Sequence, residues 1–180
     1  MKTYASFFES HDKASKELGV AQELVEALNR GAGLSLHSPQ EFSPDPPDCV
    51  CLDSKGRAVA IECVEVVCER ATRLNAQGHD VYRVWRPGEL SVHVSRVLAE
   101  KDSKRFHGGP YHGIVVCLFT DEPALAAPVA KAELEASTFG PLKQITAAYL
   151  LFSYEPASKS YPLVALWPRH GGRGGARLEA

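Results

Sequence analysis

The sequence predicts an α/β fold, a mixed β-sheet with helices on its faces, forming one domain over residues 1–168. Helical and strand-like hydrophobic patterns interleave along the chain, as expected of this class. The chain has 180 residues, 44% hydrophobic and 23% charged, which matches an ordinary globular domain. A continuous apolar run over residues 114–119 is typical of a buried central strand. The glycine-rich residues 169–180 are expected to form a flexible tail.

Charge content excludes a histone-like polycation and an acidic tail protein, and cysteine content argues against a secreted disulfide-rich domain. The chain carries 20 Lys+Arg and 22 Asp+Glu, so any nucleic-acid partner depends on a local basic patch. Four of the five cysteines lie between Cys49 and Cys68, which favours reduced thiols and a cytoplasmic location over a secreted disulfide framework. Glu9 interrupts the N-terminus too early for a signal peptide, and no run of about 18 apolar residues occurs. We therefore expect neither export nor a membrane span.

The first predicted elements are a helix, a loop and a hairpin. Apolar residues recur at helical spacing over 12–29, and two glycines end the pattern. Four prolines within 34–47 predict a stiff connecting loop. Residues 49–52 and 58–67 are rich in β-branched and small apolar residues and are separated by a polar turn containing glycine. These two segments are predicted to pair as a β-hairpin.

The second half of the chain alternates between helices and strands. Residues 81–85 show a weak strand pattern, and a Pro-Gly pair separates them from a helix predicted from Glu89 to Phe106. The remaining predicted elements are a strand over 114–119, a helix over 124–137, and strands over 145–154 and 163–167.

Two carboxylates are predicted to face each other across the hairpin. If the turn is centred on Lys55, the numbers of paired residues sum to 110, which places Asp48 opposite Glu62. Opposed side chains have Cβ atoms about 4.5–5.5 Å apart, so like charges there are destabilising unless a cation neutralises them. Carboxylate oxygens suit Mg²⁺ or Mn²⁺. The alternative is a turn shifted by a residue, or a pair solvated on an exposed face.

Two further charged residues fall on apolar helix faces. Glu17 projects between Leu24 and Leu28 of the first helix, and Lys101 lies near the centre of the apolar stripe of the second long helix. A buried charge needs a partner or a metal ion. An ammonium group in such a place can orient a water molecule or offset charge on a phosphate. The alternatives are that Glu17 reaches solvent at the edge of its stripe and that Lys101 extends its ammonium to solvent.

The hairpin carries the residues Pro47-Asp48, followed by Ile61-Glu62-Cys63-Val64. This motif and the order of elements resemble the PD-(D/E)XK, or restriction-endonuclease-like, nuclease superfamily. The resemblance covers about residues 12–155 and implies a restriction-endonuclease-like core. It implies that Asp48 and Glu62 are the catalytic, metal-binding acids. It also implies that Glu17, the helix carboxylate, is a catalytic residue and a further metal ligand, either directly or through water. Val64 stands at the motif's lysine position, and members whose lysine has moved to a neighbouring helix imply that Lys101 takes that role.

The resemblance implies a Mg²⁺- or Mn²⁺-dependent phosphodiesterase, an endonuclease, acting on nucleic acid, with DNA as the expected substrate. Superfamily members without a working lysine include non-catalytic domains, so Val64 leaves a silent nucleic-acid-binding or protein-assembly module as the alternative. Near-neutral charge predicts modest affinity for nucleic acid, or help from a partner protein or a second copy of the chain. Glu65 lies on the opposite strand face from Glu62 and is held only as a reserve ligand.

Basic residues cluster between the hairpin and the second long helix and at the end of that helix. Phosphate neutralisation needs such local clusters, and aromatic residues interleave with the first group. The alternative is a solvated surface balanced by nearby acids. The candidate nucleic-acid contacts are Arg70, Arg73, Arg83, Arg86, Lys104 and Arg105.

The spacing of four cysteines also raises a zinc-stabilised interaction domain as a third hypothesis, because thiolates are good zinc ligands. In the predicted register Cys49, Cys51 and Cys63 lie on the face opposite the carboxylates. Small buried thiols are therefore the preferred interpretation.

Overall fold

The part of the chain that the structure describes forms a six-stranded mixed β-sheet with helices on both faces, which confirms the predicted α/β class. The computed structural model describes residues 12–32, 34–68, 77, 85–122 and 125–168. Within these residues the helices are α1 (Lys13–Ala32), α2 (Glu89–Asp102) and α3 (Ala127–Ala136), and the strands are β1 (His37–Glu41), β2 (Cys49–Leu52), β3 (Ala58–Glu65), β4 (Gly113–Thr120), β5 (Ala147–Phe152) and β6 (Leu163–Trp167). None of the described helices is both long and apolar enough to cross a membrane.

The strands lie in the order β1-β2-β3-β4-β5-β6. Strands β3, β4 and β5 are parallel, whereas the other neighbours are antiparallel. The predicted hairpin register is confirmed, because Cys49 lies opposite Ile61 and Leu52 lies opposite Ala58. The next position along the hairpin therefore brings Asp48 beside Glu62.

The two faces of the sheet are covered by different helices. Ile61 and Cys117 belong to the core beneath α1, whereas Val116 and Leu150 belong to the core beneath α2 and α3. Successive residues of a strand point to opposite faces, so a strand covered on both sides is apolar almost throughout. This explains the continuous apolar run of β4.

Several elements differ from the sequence prediction. Helix α1 continues through Gly31 to Ala32, although this glycine was predicted to end it, and β3 and β5 are shorter than predicted. Strand β1 lies within 34–47, which the prolines had predicted to be loop; it is an edge strand of the described sheet, where a proline is tolerated. Helix α2 ends at Asp102 rather than Phe106, and Gln144 Nε2 donates to the carbonyls of Asp102 and Lys104 just at this end. The strand predicted over 81–85, apart from its last residue, and the predicted tail lie outside the described residues.

The turn between β2 and β3 is organised by Asp53. Its Oδ1 accepts hydrogen bonds from the backbone N–H groups of Lys55 and Arg57 at 2.9 and 2.8 Å, and Oδ2 accepts one from Arg57 Nε at 2.7 Å. Burial acts to raise the pKa of Asp53, but the hydrogen bonds from Arg57 and Lys55 outweigh it and lower the pKa to about 2. This ionised carboxylate fixes the turn and with it the hairpin register.

We predict that Asp53→Asn lowers the free energy of unfolding at neutral pH and flattens its acid dependence. A carboxylate whose pKa is depressed by folding contributes stability above its unfolded pKa, near 3.8, and loses it as the pH falls towards about 2. Urea unfolding at several pH values checks this: the gap between wild type and variant is largest at neutral pH and closes between about pH 4 and pH 2. A gap that does not change with pH contradicts the assignment.

Candidate metal centre

A cavity of about 400 Å³ opens beside the carboxyl end of β3. Its wall includes all four of the residues that the sequence singles out for chemistry, namely Glu17, Asp48, Glu62 and Lys101. These residues come from α1, the start of the hairpin, β3 and α2, so the fold brings together side chains that are far apart in the chain. The other lining residues are Lys13, Lys16, Asp45, Cys63, Val64, Glu65 and Phe119.

The two hairpin carboxylates are buried rather than solvated. Asp48 is 8% exposed and Glu62 is 1% exposed. The Oδ2 atom of Asp48 accepts a hydrogen bond of 2.7 Å from the backbone N–H of Cys63, which holds the carboxylate against β3. Burial and the charge of Asp48 raise the pKa of Glu62, against the opposing effect of Lys101. Ionising both acids is therefore costly without a nearby cation.

A third carboxylate, that of Asp45, joins this pair, and the sequence interpretation did not include it. The loop that carries Asp45 is fastened at two points. The N–H of Phe42 donates to the carbonyl of Asp48 at 2.9 Å, and the N–H of His107 donates to the carbonyl of Pro46 at 2.8 Å. The loop therefore turns back over the hairpin, and Asp45 comes to the cavity instead of pointing away as part of a connector.

The three carboxylates lie close enough together to hold a metal ion. Oxygen atoms of Asp45, Asp48 and Glu62 all lie within 4.8 Å of one another. Two oxygens on opposite sides of one Mg²⁺ ion are about 4 Å apart, so small side-chain movements suffice to bind it. The Oε2 atom of Glu62 is buried and has no hydrogen-bond partner among the described residues. A buried carboxylate oxygen that accepts no hydrogen bond needs another partner, and a bound cation would be one.

Lys101 provides the positive charge nearest to Glu62. Its ammonium group donates a hydrogen bond to Glu62 Oε1, and its side chain is 15% exposed. Burial acts to lower the pKa of Lys101, but the hydrogen bond and charge of Glu62 raise it above the ordinary value. Lys101 is therefore a fixed ammonium group at neutral pH. The alternative, in which Lys101 extends its ammonium group to bulk solvent, is not what the structure shows.

Glu17 lies on the cavity wall, but its carboxylate is not part of the group formed by Asp45, Asp48 and Glu62. The Oε1 atom of Glu17 is 3.3 Å from Nζ of Lys13, and its side chain is mostly buried. Burial and the charge of Asp48 raise the pKa of Glu17 to about 7.

A second glutamate–lysine pair lines the cavity on the α1 face of the sheet. Glu65, the reserve ligand, accepts a hydrogen bond of 2.7 Å from Nζ of Lys16, and this nitrogen is 5.3 Å from the ring centre of Phe119. Lys16 escaped the sequence interpretation because nothing in a helical pattern reveals its partner on β3.

The predicted nucleic-acid contacts are only partly described. Arg70, Arg73 and Arg83 lie outside the described residues. Arg86 is exposed before α2, whereas Lys104 and Arg105 follow the end of this 14-residue helix. A helix of that length spans about 21 Å, so Arg86 is separate from the other two. Lys104 and Arg105 lie near Lys101 in the chain and are the contacts closest in sequence to the cavity.

The cysteines lie in the core rather than in the cavity, apart from Cys63, which touches both. Cys49, Cys51, Cys63 and Cys117 are all buried in the core beneath α1. Burial raises the pKa of Cys49 and Cys51 to about 12. Within the described residues these sulfur atoms form no group with metal-binding spacing, and they pack among apolar side chains as small buried thiols do.

Comparisons of this chain with protein-family models, with curated proteins and with solved structures found no match. Function is therefore inferred from the geometry and chemistry of the site.

We predict that Glu17→Gln stabilises the metal-free protein. A carboxylate whose pKa is raised by folding contributes stability at low pH, and that contribution is lost as the pH rises from about 4.5 to about 7. At pH 8 in a chelator, the variant should unfold at a temperature a few degrees above that of wild type, and the difference should vanish near pH 4.5. Thermal unfolding followed by circular dichroism measures both values.

Glu26→Gln is the matched control for this experiment. Glu26 lies on the opposite side of α1, is exposed, and like Glu17 has a basic partner one turn away, here Arg30. We expect this variant to have the stability of wild type or slightly less. Equal stabilisation by both variants would show that Glu17 is not under specific repulsion.

Proposed function

We propose that the protein is a divalent-cation-dependent phosphodiesterase acting on nucleic acid, with DNA as its substrate and a restriction-endonuclease-like core. One observation carries the proposal: Glu17, Asp48, Glu62 and Lys101 line the same cavity. The same cavity holds three carboxylates with oxygens within 4.8 Å of one another. Acids that hold a divalent cation next to a fixed ammonium group are a common arrangement for phosphoryl chemistry.

The carboxylates of Asp45, Asp48 and Glu62 are the ligands for Mg²⁺ or Mn²⁺ in this proposal. The bound cation supplies Lewis-acid stabilisation to a phosphate oxygen. Asp48 is already oriented by the Cys63 N–H, and Glu62 by Lys101. Both ligands are thus held in place by the fold before a cation binds, which lowers the ordering cost of binding.

Lys101 and Glu17 act from opposite sides of the cavity. Lys101 donates one N–H bond to Glu62 and can donate another to a phosphate oxygen or to the attacking water. Its charge offsets the negative charge that develops on the phosphate. Glu17, on α1, orients water at the mouth of the cavity and adds to its negative potential. In this way Lys101 takes the place of the lysine that Val64 replaces on β3.

The second candidate function is a catalytically silent module that binds nucleic acid or assembles with another protein. Val64 favours it, because Val64 lines the cavity where the motif has a lysine. The hydrogen bond between Lys101 and Glu62 favours the enzyme, since it supplies an ammonium group from another element. The two candidates differ in whether bound DNA is cleaved.

We predict that purified protein cleaves DNA in Mn²⁺ and that Asp48→Ala reduces the rate by at least about 100-fold, the effect expected when a ligand for the cation is lost. Lys101→Met should reduce the rate by a similar factor, because the charge next to the phosphate is removed. Gel analysis of end-labelled duplex and single-stranded DNA over time measures both effects. Addition of a chelator should abolish cleavage by wild type.

Glu100→Ala is the matched control, because Glu100 is an exposed acid on the same helix, one residue before Lys101. This variant should cleave at the wild-type rate. Cleavage by Asp48→Ala at the wild-type rate refutes the site assignment. DNA binding without cleavage, at any Mn²⁺ or Mg²⁺ concentration, would instead support the silent module.

A further inference from the structure

Strand β3 carries two glutamate–lysine pairs that lie on opposite faces of the sheet and line one cavity. Glu62 pairs with Lys101 of α2, and Glu65 pairs with Lys16 of α1. Between them Val64 also lines the cavity. The proposed function uses the first pair only, so the second pair needs an explanation of its own.

Lys16 is held in place from two sides. Its Nζ is 2.7 Å from Oε2 of Glu65 and 5.3 Å from the ring centre of Phe119, and its side chain is only 16% exposed. A lysine on the protein surface loses considerable freedom when it binds a ligand, whereas a lysine fixed by the fold has already lost it. An ammonium group carries three N–H donors, so Lys16 can hold Glu65 and a phosphate oxygen at the same time.

The position of Lys16 suits a phosphate other than the one that is cleaved. Glu62 and Glu65 are three residues apart on a strand, which is about 10 Å. Lys16 therefore lies beyond the carboxylate group, further towards the carboxyl end of β3. The cavity wall carries five carboxylates and three lysines, a net charge of −2 when all are ionised. A second phosphate is thus bound only if a positive group is placed for it.

We propose that Lys16 binds the phosphate of a nucleotide adjacent to the scissile one, so that the substrate class is a polynucleotide strand rather than a small phosphodiester. The proposal rests on the proposed phosphodiesterase function. Lys16 is a binding residue for the strand, and Glu65 positions it. Small phosphodiesters, which contain one phosphate, make no contact with Lys16.

The first test is the binding of a fluorescein-labelled DNA strand in Ca²⁺, which replaces Mg²⁺ to prevent cleavage. Lys16→Gln should weaken binding about tenfold for any sequence, and should lower the slope of log Kd against log salt concentration by about 1. Lys16→Arg should retain most of the affinity. Lys131→Gln is the matched control, because Lys131 also pairs with a glutamate but is exposed on α3 and does not line the cavity.

A charge-balanced variant separates local contact from net charge and guards against misfolding. The double variant Lys16→Gln/Glu65→Gln replaces both partners by neutral amides, which can still hydrogen-bond, and leaves the net charge of the cavity unchanged. It should weaken DNA binding about as much as Lys16→Gln. Wild-type affinity and salt slope in the double variant would overturn the proposal.

The second test compares substrates of different size in Mn²⁺. Lys16→Gln should raise KM for DNA about tenfold with little change in kcat, while kcat/KM for bis(4-nitrophenyl) phosphate stays at the wild-type value. An equal loss on both substrates overturns the proposal, because it places Lys16 at the cleaved phosphate or in the scaffold. If Lys16→Gln has wild-type KM and kcat for DNA while Asp48→Ala still loses cleavage, the role of Lys16 is overturned and the proposed function is not. A wild-type protein that neither binds nor cleaves DNA overturns the proposed function as well.

Discussion

The structure depends on one electrostatic constraint, the burial of two opposed carboxylates at the start of the β2–β3 hairpin. The register that pairs the strands leaves Asp48 and Glu62 no alternative to facing each other. Opposed like charges are destabilising, and burial removes the water that would screen them. The turn at Asp53 fixes that register. The hairpin therefore brings the carboxylates of Asp48 and Glu62 together and makes them repel each other. A charge of opposite sign is required nearby.

The surrounding elements supply part of the positive charge that Asp48 and Glu62 require, but not all of it. Lys101 on α2 binds Glu62, and the N–H of Cys63 binds Asp48, which offsets part of the cost. Asp45 then adds a third carboxylate, whose charge raises the pKa of Asp48 and Glu62, and Lys13, 3.6 Å from Asp45, offsets only part of this effect. Clustered carboxylates destabilise the fold but provide ligands for a cation. Such a cluster indicates a function, since selection for stability alone would remove it. The packing of helices on both faces of the sheet stabilises the fold and offsets the destabilising effect of these carboxylates.

Much of this site could be predicted from the sequence, because local patterns determine it. Turn position and strand alternation are enough to place Asp48 opposite Glu62, and helical periodicity reveals the two charged residues on apolar helix faces. Asp45 could not be predicted, because the path of its loop depends on a bond between Pro46 and His107, which are far apart in the chain. Strand β1 was missed for a local reason, since it has no alternation and contains a proline. The end of α2 involves a distant contact again, with a glutamine from the loop before β5. A restriction-endonuclease-like core remains a proposal drawn from the motif and the order of elements.

The central claim is that the acidic cluster binds a divalent cation, and equilibrium binding of Mn²⁺ tests it most directly. Electron paramagnetic resonance measures free Mn²⁺ during titration into metal-stripped protein, for wild type and for Glu62→Gln, which keeps the shape of the side chain and removes its charge. We expect saturable binding by wild type and an affinity at least about tenfold lower in the variant, because a buried ligand is lost. Absence of saturable binding in wild type, or equal binding by both proteins, would contradict this claim.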